Sequence, residues 1–396
     1  MAAPLAGIRI LDFTRYQQGP FASVMLADMG AEVIKVEDLS IGDFGRRMFR
    51  DPDGFSSFFE SLDRGKKSVC IDLRKPDGVA LALDLGAGCD VVLENFRPGT
   101  MDAWGLGYEA FKARNPRIIY GQATGWGTKG PMAELGSFDQ ISQAYSGFAQ
   151  QSGGGPGTCP VVPAPGVADQ TGAMNFAFGI MTALYVRERT GVGQRVEVSL
   201  LGTQLALQAP EVLYTLNRGI HRPREMRASP VVGHYECADG RWIMIVGIDQ
   251  KFWPRICTAL QVEELADDPR FVRGGLRFEN REILQELLGA AFMSRDSAYW
   301  LDRLQHEDVP ASLVRDYTEL ADDEQCIANG YVVEQDHPRY GRVKVVGLHV
   351  QLSETPGEVG APAPELAAHT AEVLRGIGLS DERLHELQAA GVIRCR

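Results

Sequence analysis

The stretch GIRILDFTRYQQGPFASVMLADMGAEVIKVE, residues 7 to 37, decides the fold. GIRILDF (7–13) reads as a strand, TRYQQG as a turn, and PFASVMLADM as a helix with Pro20 in its first turn and Gly30 just past its end. AEVIKVE (31–37) then reads as a second strand. A helix of this length between two strands cannot be a hairpin connection, so the strands run parallel as a βαβ unit.

The plan repeats downstream. SVCIDL (68–73) is a strand, Pro76 to about Ala87 a helix, DVVLEN (90–95) a strand and RIIYGQATG (117–125) another. Alternating elements predict an α/β fold, a doubly wound, Rossmann-like large domain. An apolar helix from Ala168 to about Arg189 follows, and the pattern places Met174, Phe176, Phe178, Ile180, Met181, Leu184 and Val186 against neighbours on most of its circumference. GQRVEVSL (193–200) returns as a strand, leading into a second apolar helix, LLGTQLALQAPEVLYTL.

After residue 220 the texture changes. HRPREMRASP (221–230) is linker-like, HYECADGRWIMIVGI is a hairpin with Asp239-Gly240 at its turn, and residues 250 to 320 are mostly amphipathic helix. A smaller inserted α+β domain over 221–325 is expected, flanked by 1–220 and by a segment, 326–396, that returns to the large domain. That tail reads as a strand pair in GRVKVVGLHVQLS, a proline and glycine loop, and a helix.

Composition narrows the function. A chain of 396 residues exceeds the size at which single cores stop growing, which agrees with two domains. The formal charge of −12 argues against nucleic acid and anionic membranes as partners, and no run of 18 apolar residues offers a span. MAAPLAGIRIL has no signal-peptide pattern, so the expected location is cytoplasmic. Seven scattered cysteines without a CxxC pair suit reduced thiols.

None of the seven histidines lies before His221, so the large domain holds neither a histidine base nor an HExxH metal motif, and no metal is expected. Glu37 ends the second strand where an acid would hold a ribose, but Gly19 stands alone where a dinucleotide turn needs three glycines. GGGPG (153–157) lacks the ending of a P-loop.

Two features remain. RGKKSVCIDLRK (64–75) carries Arg64, Lys66, Lys67, Arg74 and Lys75 against Asp72, either a solvated strand edge or a local anion patch. Asp169, in GVADQTG before the long helix, is either an N-cap or a nucleophile that the helix terminus keeps ionised, with nearby amides available to an oxyanion.

LAGIRILDFTRYQQGPFASVMLADMGAEVIKVE, SLDRGKKSVCIDLRKPDG, ENFRPG, GLGYEAFKARNPRIIYGQATGWGTKGP, RERTGVGQRVEVSLL, YECADGRW, LADDPRF and LAAHTAEVLRGIGLSDE occur in this order. The chain thereby resembles, over essentially its whole length, the family III (CaiB/BaiF-type) CoA-transferases, which include formyl-CoA and carnitine CoA-transferases. The resemblance implies an interlocked, ring-like homodimer and transfer of CoA from an acyl-CoA thioester to a carboxylic acid. Coenzyme A is then substrate and product, and no tightly bound cofactor is implied.

The family's nucleophile context, A-D-x-x-(A/T/S)-G, matches Ala168-Asp169-Gln170-Thr171-Gly172. Aspartyl anhydride and aspartyl-CoA intermediates on Asp169 follow by resemblance. The same pattern assigns CoA binding to Gln17, Gln18, Ile71, Asp72, Leu73, Arg74, Asn95, Phe96 and Arg97, with the basic run neutralising phosphates. Asp38 and Ala103 stand where certain relatives carry arginine. SPVVG (229–233) replaces a tetraglycine loop of formyl-CoA transferases, pointing to a different substrate and to a pocket lined by Val231 and Val232.

Two alternatives share the fold. An α-methylacyl-CoA racemase or epimerase uses a histidine in a GHD-like segment, here Gly136-Ser137-Phe138-Asp139, and Phe138 cannot move a proton. A non-catalytic acyl-CoA-binding protein would be expected to lose the nucleophile, and Asp169 is present.

Overall fold

The computed structural model describes residues 2–163, 166–220 and 229–396. Two compact units form: residues 1–209 with 324–396, and residues 210–323. The linker-like stretch lies largely outside the described residues.

The larger unit is built on β1 (Arg9–Asp12), β2 (Glu32–Glu37), β3 (Lys66–Ile71), β4 (Val91–Glu94), β5 (Ile119–Thr124) and β6 (Arg195–Ser199). These six strands are parallel in the order β3-β2-β1-β4-β5-β6, and Ile393–Arg394 adds an antiparallel edge beside β3. That order is doubly wound, and it reverses between β1 and β4, where the loops leaving the carboxyl ends of neighbouring strands diverge and open a crevice.

Alternate residues face opposite layers. Leu11, Ile34, Val69 and Val92 pack with Leu81 and Leu85 of the Pro76–Ala87 helix. Ile10, Val33, Val91, Leu93 and Ile119 pack with Leu26 of the Gln18–Asp28 helix and with Phe176, Ile180 and Leu184 of the Val167–Thr190 helix. Near-continuous burial along β2 to β5 is what a parallel sheet covered on both faces requires.

The long helix departs from the expectation of burial around most of its circumference. One stripe, Ala173, Phe176, Ala177, Ile180, Ala183 and Leu184, packs with the sheet, whereas Phe178 is 72% exposed and Met174, Met181 and Val186 also face outward. The second apolar helix breaks into Leu200–Leu207 and Ala209–Arg218, with Pro210 unable to donate the bond that would continue it. The tail's strand pair is Val332–His337 with Gly341–Val346, so its first strand lies upstream of GRVKVVG. The C-terminal helix likewise divides, into Thr370–Gly376 and Asp381–Ala389.

In the smaller unit, Val232–Glu236 and Trp242–Val246 form the expected hairpin, with Gly240 at φ +75° in its turn, and Ala311–Leu313 completes a three-stranded antiparallel sheet. Tyr235, Ile243, Trp253, Phe271, Phe292 and Trp300 make its core. Val231 belongs to that core, so it packs inward instead of lining a pocket.

Candidate active site

Charge sits first beneath the strand ends. Lys35 is fully buried, 2.8 Å from Asp43 and 3.2 Å from Asp63, and donates to the Thr14 carbonyl at 2.9 Å. Lys66 lies 2.8 Å from Asp63 and 3.3 Å from Asp12. Asp12 in turn accepts from the Thr14 amide, the Thr14 hydroxyl and Ser23 Oγ. Although burial opposes it, the neighbouring Lys66 and Lys35 hold the Asp12 carboxyl below the usual range. This network fixes the turn between β1 and its helix.

The same network corrects the reading of the basic run. Arg64 forms a buried pair with Asp28 at 2.6 Å, Lys66 is consumed as above, and Lys67 bridges Glu32 and Glu372. Arg74 is solvent-facing but bonded to Asp72 at 2.7 Å. Arg64, Lys66 and Lys67 are thus held in ion pairs within the fold, some with residues distant in sequence, whereas Arg74 stays exposed beside Asp72 and lines a cavity.

At the switch point, Asn95 after β4 accepts from the Arg15 amide at 2.8 Å and donates to the Arg15 carbonyl at 2.7 Å. It thereby couples the loops leaving β1 and β4. Phe96, next to it, lies 5.0 Å below the Arg15 guanidinium and 5.1 Å from the Trp104 ring. Arg15 was not among the expected site residues. Arg15 and Arg97 have no ion-pair partner among the described residues.

Two cavities open here and share Phe96. One, of about 220 Å³, is lined by Ile71, Asp72, Leu73 and Arg74 together with Arg15 and Trp104. Asp38 also lines it, its carboxylate bonded to Ser40 and to the Ile41 amide. The other, of about 210 Å³, is lined by Gln17, Gln18, Asn95, Phe96, Arg97 and Asp169, with Phe138 on its wall. Every residue assigned from the sequence therefore lines one of two cavities joined at a single ring.

Asp169 occupies the first turn of the Val167–Thr190 helix, but it does not cap it. The cap comes from Asp139, whose carboxylate accepts from the amides of Ala168 (2.7 Å), Asp169 (3.1 Å) and Gly166 (3.3 Å), and from Gln143 Nε2 (2.6 Å). The amides expected to serve an oxyanion are thus already taken. Burial, and then the charge of Asp139, push the Asp169 carboxyl up to about 7, so the expectation of a carboxylate held ionised by the helix terminus is reversed.

Donors are supplied instead by the turn after β1. Gln18 Nε2 is buried with no hydrogen-bond partner among the described residues, and a β-carbon at Gly172 would lie 2.7 Å from it. Gln17 Nε2 would lie 2.1 Å from a β-carbon at Gly166, whose φ of +93° also demands glycine. Both amide groups therefore press against the start of the helix that carries Asp169.

The sheet order, the two cavities that share Phe96 and the carboxylate at a helix start define a doubly wound α/β protein with a crevice at its switch point. The family model for CoA-transferase family III matches residues 5–370. Over 98% of its length the chain is 34% identical to succinyl-CoA:glutarate CoA-transferase of Mus musculus, covering 90% of that protein. It is 35% identical to succinyl-CoA–D-citramalate CoA-transferase of Chloroflexus aurantiacus, covering 98% of both. The crystal structure of Rv3272 from Mycobacterium tuberculosis superposes with a TM-score of 0.85 at 30% identity, covering 94% of this chain and 99% of that one. A CaiB/BaiF family protein from Brucella suis gives 0.84 at 30% identity, over 95% and 100%.

The chain belongs to CoA-transferase family III, and it is a CoA-transferase acting on CoA thioesters. Among the described residues no cluster suited to a metal ion occurs, and no helix is long and apolar enough to cross a membrane.

Proposed function

We propose that the protein moves CoA from a dicarboxylic acyl-CoA of the succinyl type to a second short dicarboxylic acid, through covalent intermediates on Asp169. The observation that carries this reading is the shared wall at Phe96. A CoA molecule laid across it would put its nucleotide at Ile71–Arg74 and Arg15, and its thioester beside Gln17, Gln18 and Asp169. Arg97 lines the Asp169 cavity, and a guanidinium there suits the distal carboxylate of such an acyl group. The relatives' named substrates, succinyl-CoA with glutarate or citramalate, have that shape.

In the cycle, the Asp169 carboxylate attacks the thioester carbon and the C–S bond breaks, leaving an aspartyl anhydride and CoA thiolate. The thiolate attacks the aspartyl carbonyl, releasing the donor acid and forming aspartyl-CoA. The acceptor carboxylate then displaces thiolate to give a second anhydride. Thiolate attack on its acyl carbon releases the new acyl-CoA and restores Asp169. The unpartnered Gln18 amide and that of Gln17 supply hydrogen bonds to the oxyanions. No proton is consumed over the cycle.

Incubation with succinyl-CoA and a panel of carboxylic acids tests the reading. Exchange into glutarate, malate or citramalate is expected, as is hydroxylamine trapping at Asp169. Labelling of another carboxylate, or no transfer to any dicarboxylate, overturns it. Racemisation finds no support, since Phe138 presents a ring without a titratable group to the cavity.

The pH profile follows from Asp169. Because only the ionised form attacks, activity is expected to rise through about pH 7. Asp139→Asn keeps an oxygen for the helix amides but removes the like charge, so the rising limb should move to lower pH. Burial, the larger cause, remains, and an unmoved limb would show that Asp139 does not act on the nucleophile.

We also infer that residues 210–323 form a domain inserted into the larger one, and that two chains pair in the interlocked manner implied by the resemblance. The outward apolar face at Met174, Phe178 and Met181 supports pairing, because monomers seldom leave such a stripe bare. Sedimentation equilibrium showing only monomer would refute it.

A further inference from the structure

A third cavity, of about 260 Å³, shares no lining residue with the two above. On a chain of formal charge −12 it is lined by four arginines, Arg46, Arg47, Arg50 and Arg339. Arg46 is satisfied by Glu37 and by the Pro364 carbonyl. The other three have no carboxylate partner among the described residues.

Two of these guanidinium groups converge. Around the point where a β-carbon at Gly54 would sit, Arg339 Nη2 lies at 3.0 Å and Arg50 Nη2 at 3.2 Å. Arg339 Nη2 is held there by the Asp53 carbonyl at 3.1 Å. Like charges brought together without a counter-ion repel each other, and an anion between them relieves the repulsion.

His337 stands on the same wall. His337 Nδ1 accepts from the amides of Arg339 and Tyr340, so the ring's hydrogen is on Nε2. That Nε2 is buried, makes no hydrogen bond and faces Glu60 Oε2 at 3.5 Å. The carboxylates on this wall are otherwise engaged, Glu60 by the Ala363 amide and Glu365 by Arg396.

We propose that this cavity binds a phosphate dianion through Arg47, Arg50 and Arg339. Three guanidinium groups exceed what one carboxylate neutralises, whereas a phosphate offers two charges and three oxygens to forked donors. The phosphate comes either from the 3′ position of CoA or from a free phosphate. This site does not depend on the covalent mechanism at Asp169.

Calorimetric titration of the whole enzyme with inorganic phosphate, in a chloride buffer near neutral pH, tests the proposal. One phosphate per chain is expected, and Arg50→Gln with Arg339→Gln should weaken it by roughly tenfold or more while leaving kcat unchanged. Both positions are exposed, and an unaltered circular dichroism spectrum checks that the variant is folded. Dephospho-CoA separates the sources. If CoA supplies the group, the variant loses affinity for CoA and not for dephospho-CoA; if a free phosphate does, both cofactor affinities persist and phosphate binds alongside CoA. Absence of phosphate binding to the wild type, equal binding of succinate, or unchanged phosphate affinity in the variant overturns the assignment.

Discussion

Replacing Asp169 with alanine is expected to lower kcat for CoA transfer by about 10⁴-fold or more, the scale on which removal of a covalent nucleophile acts. The side chain carries both the acyl group and CoA in the proposed cycle, and among the described residues no other carboxylate lines its cavity. CoA affinity should change little, because the crevice is built by the loops after β1 and β4, which the substitution does not touch. Stability should move the other way. A carboxyl raised from 3.8 to about 7 by burial penalises the folded state once it ionises, so the penalty is absent below pH 4 and complete above pH 7. The variant is therefore expected to melt higher than wild type at pH 8 and at the same temperature at pH 4. Residual turnover within tenfold of wild type, measured by chromatography of the acyl-CoA products, would show that Asp169 is not the nucleophile.

Lys35→Met is expected to cost about 3–5 kcal/mol of stability, the range found when one partner of a buried charge cluster is removed. Methionine fills much of the same volume, so the loss reports charge more than packing. Without Lys35, Asp43 keeps only its bond from Gly45, and Asp12 and Asp63 are left to share Lys66. The Thr14 carbonyl loses its donor as well, so KM for acyl-CoA should rise as the turn that carries Gln17 and Gln18 loosens. Urea unfolding gives the stability and steady-state kinetics the second effect. A variant as stable as wild type would mean that the network contributes nothing net. Acid acts on the same cluster: Asp12 and Glu37 are held below the usual carboxylate range, so their contribution is present above about pH 4 and disappears as pH falls through their folded values.

Much of the architecture was legible because its signals are local. Pro20 stands in the first turn of the first helix, which begins two residues earlier at Gln18, and Gly30 lies just past its end; the Pro76–Ala87 helix has the bounds that its proline start and apolar spacing indicate. Strands buried on both faces are unbroken apolar runs whatever surrounds them. The residues assigned to the site rest on motif alone; each of them lines one of the two cavities that share Phe96.

What was hidden depends on residues far apart in the chain. Nothing near Lys66 announces Asp12, nor near Arg64 announces Asp28, so a run of five cations looked free. Asp139 caps a helix that begins 28 residues later. One signal did exist: Gly166, Val167 and Ala168 offer no capping side chain, which meant that a cap had to come from elsewhere. The exposed side of the long helix was illegible for another reason. Apolar residues on every face state that burial is wanted, not which neighbour supplies it.

Asn95 has a kinetic meaning that its two bonds to Arg15 do not advertise. Because one side chain clasps the loops on both sides of the crevice, the slot is assembled when the chain folds and not when a ligand arrives. The entropy of ordering those loops is then absent from the association step, so the intrinsic affinity of the slot is realised without a preceding conformational search.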